Sequence, residues 1–221
     1  MIRLENAGKA YRDRRGQIQW VFRNLHAVFT DSEHHAVLAP RGQGKTTLLN
    51  TICGNDTLSE GKIHRSARIS YPADFRSALS QKLTGRQNIR FLSDVYGVSF
   101  AQALDFCAAF SELGRQMDLP MKSYSNQTRG RFMVSALLSL GFKHVLIDDM
   151  INLGDMKFRK KCLQYLQDSR DRLAVLIATS DPDYAARLCT SASVLHEGKL
   201  THFENFEDAR AAFNEINKIY V

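Results

Sequence analysis

Apolar and polar residues alternate in two stretches near the start of the chain, with a polar turn between them. Residues 1–7 and 17–22 follow the two-residue period of a strand that is buried on one face. The turn at residues 13–16 ends in glycine, which is typical of a hairpin. The pattern therefore predicts an antiparallel β-hairpin, with Tyr11 at the end of its first strand.

Later strands have a different pattern, because they are apolar almost throughout. Residues 35–38, 144–147 and 174–178 are short apolar runs of this kind, and each is followed by a helical pattern. Such runs are typical of parallel strands that are covered on both faces. We therefore expect an α/β core with a mostly parallel sheet. Further short strands are predicted at 61–64 and 67–70, a hairpin at 193–203 and a closing helix at 205–219.

The segment between residues 84 and 140 contains one helical pattern after another. Helices are predicted over 86–96, over 100–113 and from about residue 126 onwards, with no strand pattern between them. The sequence therefore predicts a single domain over residues 1–221 with an inserted helical subdomain at about 84–140.

Residues 39–47, Ala-Pro-Arg-Gly-Gln-Gly-Lys-Thr-Thr, join the strand 35–38 to the next helix. Glycines allow backbone N–H groups to surround phosphate oxygens, a lysine reaches the β- and γ-phosphates, and a hydroxyl holds Mg²⁺. Gly42, Gly44, Lys45 and Thr46 provide these groups. Ala39 replaces the first glycine of the usual pattern, which would cost roughly 1 kcal/mol if that position required positive φ. The alternative is an ordinary glycine-rich turn before a core helix.

An acidic pair ends the apolar strand at 145–149, about a hundred residues after the phosphate loop. Nucleoside triphosphate chemistry requires a carboxylate at the tip of a buried strand to hold Mg²⁺, and Asp148 meets this requirement. Asp149 adds a second carboxylate. Paired acids at a strand end can also be ordinary helix caps, and the upstream Lys45 is what favours a nucleotide site.

Composition excludes some classes of protein. The longest apolar runs, such as 136–140, are much shorter than the roughly 20 residues that span a bilayer. We therefore expect a soluble, cytoplasmic protein whose four scattered cysteines are free thiols. The net charge of +7 arises from basic residues spread along the chain, with the densest run at 12–15 in the predicted hairpin loop. A solvated loop explains that run, so we expect no nucleic-acid partner.

The order of these elements resembles the nucleotide-binding subunit of ATP-binding cassette transporters over nearly the whole chain. Residues 39–47 match that family's Walker A loop, and residues 145–149 match its Walker B strand. Tyr11 matches the aromatic residue that stacks on adenine. Residues 195–200 resemble the hairpin that follows the switch histidine. The resemblance implies ATP and Mg²⁺ as ligands, with Thr46 and Asp148 holding the metal ion.

Three further segments are similar to the branch of this family that exports capsular polysaccharide or O-antigen. They are residues 83–89, residues 148–155 and the opening at 1–25. This similarity implies a cytoplasmic ATP-binding subunit that drives a separate integral-membrane permease at the inner face of the cell membrane.

Two subunits of this family bind head to tail, and each ATP lies between one Walker A loop and the partner's signature sequence, usually Leu-Ser-Gly-Gly-Gln. The corresponding residues 124–128 are Tyr-Ser-Asn-Gln-Thr, so only Ser125 matches. Ser125 could meet the phosphate or could serve as a plain helix cap. The residues that the resemblance implies for nucleotide binding are Tyr11, Arg41, Gly42, Gln43, Gly44, Lys45, Thr46, Thr47 and Ser125.

Two catalytic positions also differ from the family pattern. Asp149 stands where a glutamate usually polarises the attacking water, and its side chain is one methylene shorter. Ser180 stands where the switch histidine is expected, and a serine is too short to bridge water and γ-phosphate as imidazole does. The resemblance therefore implies Asp149 and Ser180 as the catalytic residues, with altered chemistry.

These residues are compatible with two functions. The first is an ATP-hydrolysing subunit of a polysaccharide exporter. The second is a catalytically impaired ATP-binding module that acts as a regulator or as the weak half of a heterodimer, which the changes at the signature, Asp149 and Ser180 favour. A P-loop kinase or GTPase is disfavoured, because the chain has no Asn-Lys-x-Asp motif for base recognition.

Overall fold

A computed structural model describes residues 1–72, 79–149 and 154–219. These residues form two compact units: 1–72, 143–149 and 166–219 in the first, and 79–142 and 154–165 in the second. Residues 150–153 of the segment that resembles the polysaccharide exporters lie outside the described residues. The single domain with a helical subdomain at 84–140 stays a prediction.

The first unit combines an antiparallel sheet with a mostly parallel one. The strands are β1 (Ile2–Arg12), β2 (Ile18–Phe29), β3 (His34–Leu38), β4 (Glu60–Arg65), β5 (His144–Asp148), β6 (Ala174–Thr179), β7 (Ser191–His196) and β8 (Lys199–Phe203). The strand order is β2-β1-β4 in the antiparallel sheet and β5-β6-β3-β7-β8 in the larger one. The helices are α1 (Lys45–Cys53), α6 (Pro182–Ala186) and α7 (Phe206–Asn217).

The N-terminal hairpin is confirmed, but its strands are longer than the alternation indicates. Asn6 and Asn24 have φ values of 49° and 55°, and the pairing register shifts between Leu4 and Ala7. Such bulges move the following side chains to the opposite face of the sheet. The alternation of apolar and polar residues is therefore interrupted although the strand continues. The loop is organised by Asp13, whose side chain accepts hydrogen bonds from the backbone N–H groups of Arg15 and Gln17, both at 2.8 Å.

The larger sheet confirms the predicted α/β core. Strands β5, β6, β3 and β7 are parallel, and β8 returns antiparallel to β7. The strand predicted at 67–70 is wrong, because only Ile69 pairs there, in an isolated bridge to His144. Pro72 follows closely and has no backbone N–H with which to extend a ladder.

A continuous apolar core lies around α1 and the strands beneath the phosphate loop. Every residue of β3 and β6 is buried, as expected for strands covered on both faces. The largest members of the core are Ile2, Leu4, Phe22, Leu25, Phe29, Leu48, Leu49, Ile52, Leu146, Leu176 and Leu195.

The four cysteines of the chain are free thiols, as predicted. Cys53 is half-buried and the other three are buried.

The second unit is helical in its described residues. It contains α2 (Gly85–Tyr96), α3 (Phe100–Ser111), α4 (Asn126–Ser139) and most of α5 (Met156–Asp168), with short 3₁₀ turns at Gly114–Asp118 and Met121–Ser123. A capping box between Thr84 and Gln87 begins α2. Aromatic rings pack between α3 and α5, with the centroids of Phe110 and Tyr165 5.2 Å apart. No helix in the described parts of the chain is long and apolar enough to cross a bilayer.

A buried polar network joins β3 to β7. Nδ1 and Nε2 of His35 lie 2.8 Å and 2.9 Å from the hydroxyls of Ser191 and Ser193. The Ser191 hydroxyl donates to Glu33, so Nδ1 of His35 donates to Ser191. In a neutral imidazole Nε2 then accepts from Ser193. The network is therefore complete with a neutral imidazole, and His202 stacks on that ring at 5.3 Å.

Acidification is expected to destabilise the fold through this network. Burial lowers the pKa of His35, and the pKa of Glu33 is lowered to about 2 by the nearby His35, whose Nδ1 lies 3.9 Å from its carboxylate, and by the hydrogen bond from Ser191. Since both groups bind protons more readily when unfolded, stability should fall as the pH drops below about 6.5, and again between about 4.5 and 2. We expect His35→Gln to lower the free energy of unfolding at pH 7.5 by about 1–3 kcal/mol and to reduce its further loss at pH 5.5.

Urea unfolding at the two pH values measures both effects. His26→Gln, at an exposed position of β2, is the matched control and should behave like the wild type. If the free energy of unfolding fell as much between pH 7.5 and 5.5 in His35→Gln as in the wild type, this account of His35 would be contradicted.

Candidate functional site

The loop between β3 and α1 has the backbone of an anion-binding turn. Gly42 and Gly44 have φ values of 82° and 90°, which favour glycine. Gly44 is the N-cap of α1, and no side chain makes a cap hydrogen bond there. The N–H groups of the first turn of α1 are therefore available to an anion, and the positive end of the helix dipole favours one.

Ala39 carries no conformational cost at the first position of the loop. It does not belong to the residues with positive φ in the described chain, and its side chain is fully buried in the core. Its N–H donates to the carbonyl oxygen of Thr179 at 3.0 Å. The missing glycine of the sequence pattern is thus explained, because this position is ordinary buried backbone.

The Lys45 ammonium group is held inside the loop. Its Nζ donates to the carbonyl oxygens of Ala39 and Pro40 at 3.1 Å and 3.0 Å. Burial lowers the pKa of Lys45, whereas the nearby carboxylates of Asp149 and Asp148 act in the opposite direction. The lysine therefore places a cation at the phosphate loop, bordered by two acids.

Thr46 and Asp148 meet although they are a hundred residues apart in sequence. The Thr46 hydroxyl donates to Oδ2 of Asp148 at 2.6 Å. A hydroxyl and a carboxylate beside a phosphate site are the oxygen ligands that suit Mg²⁺, which completes its shell with phosphate oxygens and water. The donor set therefore fits this metal ion. No group of three or more His, Cys, Asp or Glu side chains forms a metal site within residues 1–72, 79–149 and 154–219.

The two predicted catalytic residues follow neighbouring strands. Asp149 comes directly after β5, is exposed, and has φ of 61°, with its N–H donating to the carbonyl oxygen of Ala178 at 2.7 Å. Ser180 comes directly after β6 and is half-buried. Since β5 and β6 are parallel neighbours, both residues belong to the edge of the sheet that holds the loop.

Tyr11 lies near the end of β1 with 46% of its surface exposed. Its hydroxyl donates to Oδ2 of Asp56 at 2.6 Å. Burial and Asp56 raise the pKa of this hydroxyl, and the Thr47 side chain acts in the opposite direction. Lys9 Nζ lies 4.7 Å from the centroid of the ring. The ring is thus fixed by Asp56, and its role as a base-stacking residue stays a prediction.

A cleft of about 620 Å³ connects Tyr11 to the phosphate loop. The sequence did not indicate Trp20 as part of this site, although pairing of β1 with β2 sets Trp20 opposite Ala10, next to Tyr11. The cleft is lined by Tyr11, Gln19, Trp20, Val21, Phe22, Arg23, Gly42, Gln43, Glu197, Gly198 and Lys199.

The remaining predicted binding residues are Arg41 and Ser125. Arg41 is exposed in the phosphate loop. Ser125 belongs to the second unit, where it is the N-cap of α4 and accepts a hydrogen bond from the backbone N–H of Thr128 at 3.1 Å. The cap role that we considered for Ser125 is therefore present, and a role at phosphate stays a prediction.

A parallel sheet, a glycine-rich loop that leads into a helix, a buried lysine, and a threonine paired with an aspartate define a P-loop nucleotide-binding protein. Comparison with known families gives the same result, since the model for ABC transporters matches residues 11–152. The chain therefore belongs to the ABC transporter family.

Similar proteins cover nearly the full length of the chain. The ATP-binding protein BexA of Haemophilus influenzae is 33% identical and covers 99% of this chain and 100% of its own. The polysialic acid transport ATP-binding protein KpsT of Escherichia coli is 32% identical, over 97% and 99%. The ATP-binding cassette MJ0796, solved as a dimer with ADP and Pi, aligns with a TM-score of 0.78 at 22% identity, over 93% and 99%, which supports the fold.

The two loop glycines should differ in how they tolerate alanine. Both have positive φ, but a Cβ on Gly44 would lie 2.4 Å from Cγ1 of Val21, whereas a Cβ on Gly42 has no neighbour within 4 Å. Gly42→Ala should cost about 1 kcal/mol from backbone strain alone. Gly44→Ala should cost about 1–3 kcal/mol more, because Val21 or the loop must move.

Urea unfolding without nucleotide measures this difference, and Gly42→Ala is the matched control for the strain. Equal destabilisation by the two variants would show that Val21 does not restrict the loop.

Proposed function

We propose that the chain is the ATP-binding subunit of an exporter for capsular or another surface polysaccharide. The support is the similarity over nearly full length to BexA, to KpsT, and to a capsule polysaccharide export ATP-binding protein, CtrD of Neisseria meningitidis, at 31–33% identity. In this proposal the chain lies in the cytoplasm, at the inner face of the membrane, bound to a separate integral-membrane permease.

The observation that carries the nucleotide chemistry is the contact between Thr46 and Asp148 beside the buried Lys45. In our proposal Lys45 and the N–H groups around Gly42 and Gly44 bind the phosphates. Thr46 and Asp148 would hold Mg²⁺, which would neutralise charge on the phosphate oxygens. Tyr11 would stack on the base, Arg41 and Thr47 would complete the phosphate site, and Gln43 would line the cleft beside the base.

We assign hydrolysis to Asp149 and Ser180. The Asp149 carboxylate would accept a hydrogen bond from the attacking water and so orient it. The Ser180 hydroxyl, at the end of the neighbouring strand, would donate a hydrogen bond near the reacting phosphate. Because both side chains are shorter than those that usually occupy these positions in the family, we expect slow turnover rather than none.

We also propose that ATP joins two copies of the chain. Each site would be completed by Ser125 of a second copy, at the N-terminus of α4, where helix N–H groups favour a phosphate. The MJ0796 dimers are structures of another protein and support only the fold. The helical second unit would transmit the resulting motion to the permease.

Lys45→Ala tests nucleotide binding directly. Loss of an ammonium group that bonds to phosphate should weaken ATP binding roughly 10- to 100-fold and abolish hydrolysis, because charge-assisted hydrogen bonds contribute about 1.5–3 kcal/mol each. Calorimetric titration with Mg·ATP and a steady-state phosphate assay measure the two effects. Lys62→Ala, an exposed lysine on β4, is the control. Wild-type turnover no faster than that of Lys45→Ala would remove hydrolysis from the proposal.

Asp149→Asn tests the nucleotide-driven dimer. The amide can still hydrogen-bond but is a far weaker base, so ATP should remain bound and the two copies should stay together. Light scattering after size-exclusion chromatography should show a dimer with Mg·ATP and a monomer without it. A second change, Lys45→Ala, should abolish the dimer. A monomer under all conditions would argue against ATP as the link between copies.

A further inference from the structure

We propose that Gln43 is a positioning residue that fastens the turn between β7 and β8 to the phosphate loop, and that this turn is a wall of the cleft that receives the base of the nucleotide. The inference rests on the proposed ATP binding. The position of Gln43 in the phosphate loop indicates a contact with phosphate. We assign its side chain a contact with the turn between β7 and β8 instead.

A hydrogen bond joins the side chain of Gln43 to the backbone of the turn between β7 and β8. Oε1 of Gln43 accepts from the N–H of Glu197 at 2.9 Å. Glu197 and Gly198 have φ values of 48° and 72°, as in the tight turns that join antiparallel strands. Any residue satisfies the phosphate-loop pattern at position 43. A long side chain with an acceptor at its tip is therefore explained by the turn rather than by phosphate.

The same turn also packs directly on β2. The N–H of Arg23 donates to the carbonyl oxygen of Gly198 at 3.3 Å. A Cβ on Gly198 would lie only 3.1 Å from Cα of Phe22, so backbone meets backbone at this point. The turn is thus held between the phosphate loop on one side and β2 on the other.

The opposite walls of the cleft are already fixed by other contacts. The Arg23 guanidinium lies 4.4 Å from the Trp20 ring centroid, and its Nε bonds to Glu60 at 2.8 Å. Tyr11 is held by Asp56. Gln43 is a direct contact between the loop that would hold the phosphates and the turn that borders the base end of the cleft.

This arrangement separates the two ends of a nucleotide. The triphosphate would contact the loop backbone, Lys45 and Thr46. The base would lie in the cleft, whose third wall, the turn between β7 and β8, is joined to the phosphate loop by Gln43. Loss of the Gln43 bond should therefore weaken binding of ATP and leave binding of inorganic tripolyphosphate, which has no base, nearly unchanged.

The experiment compares the affinities of Mg·ATP and Mg·tripolyphosphate in the full-length protein by calorimetric titration. Gln43→Ala should weaken ATP binding about fivefold, the worth of one net hydrogen bond, and change tripolyphosphate binding less than twofold. Gln43→Glu keeps an acceptor oxygen, so it should lower both affinities by charge repulsion and preserve their ratio. Gln102→Ala, an exposed position on α3, is the matched control.

The only tryptophan of the chain gives an independent readout, because Trp20 lines the cleft. ATP should change its fluorescence emission, and tripolyphosphate should not. If Gln43→Ala proves unfolded by circular dichroism, Gln43→Asn replaces it, since its shorter side chain cannot reach Glu197.

Each result distinguishes the inference from the function on which it rests. Wild-type protein that binds no ATP would overturn the proposed function, and the inference with it. ATP binding with an ATP to tripolyphosphate affinity ratio that Gln43→Ala does not change would overturn the inference alone. So would a wild-type protein that binds both ligands equally, because the base would then contribute nothing.

Discussion

Parallel pairing of β3 with β6, and of β6 with β5, is the constraint on which the site depends. The register sets Leu38 beside Thr179 and Asp148 beside Ala178, so the strands end together at one edge of the sheet. Ala39 extends this pairing by one hydrogen bond to Thr179, which fixes the point where the phosphate loop begins. The phosphate loop, Asp148, Asp149 and Ser180 are neighbours because β3, β5 and β6 are adjacent in the sheet.

The phosphate loop concentrates positive charge at the start of α1. The N-terminus of α1 carries the positive end of a helix dipole, and Lys45 adds a full charge at its first residue. The ammonium group donates to the carbonyl oxygens of Ala39 and Pro40. Burial lowers its pKa, and the carboxylates of Asp149 and Asp148 oppose that effect. A triphosphate in the loop would add negative charge that favours both the lysine and the helix N-terminus.

Much of this fold could be predicted from the sequence, because local patterns carry it. Apolar runs identified β3, β5 and β6, and the loop pattern identified Lys45. What could not be predicted depends on contacts between distant residues. Bulges at Asn6 and Asn24 concealed the true length of the hairpin. Trp20 joins the cleft through strand pairing, and Gln43 reaches a turn more than 150 residues away. No local pattern records such contacts.

The structure changes the interpretation of Asp149. From sequence, aspartate at this position is a shortened version of the usual glutamate. Its φ of 61° lies in the left-handed region, where aspartate is tolerated better than longer side chains. The bond from its N–H to the carbonyl oxygen of Ala178 holds that backbone in place. The position of the carboxylate therefore depends on the backbone as much as on side-chain length. Ser180 directly follows the strand that contains Ala178, so the two residues to which we assign hydrolysis are both positioned by the pairing of β5 with β6.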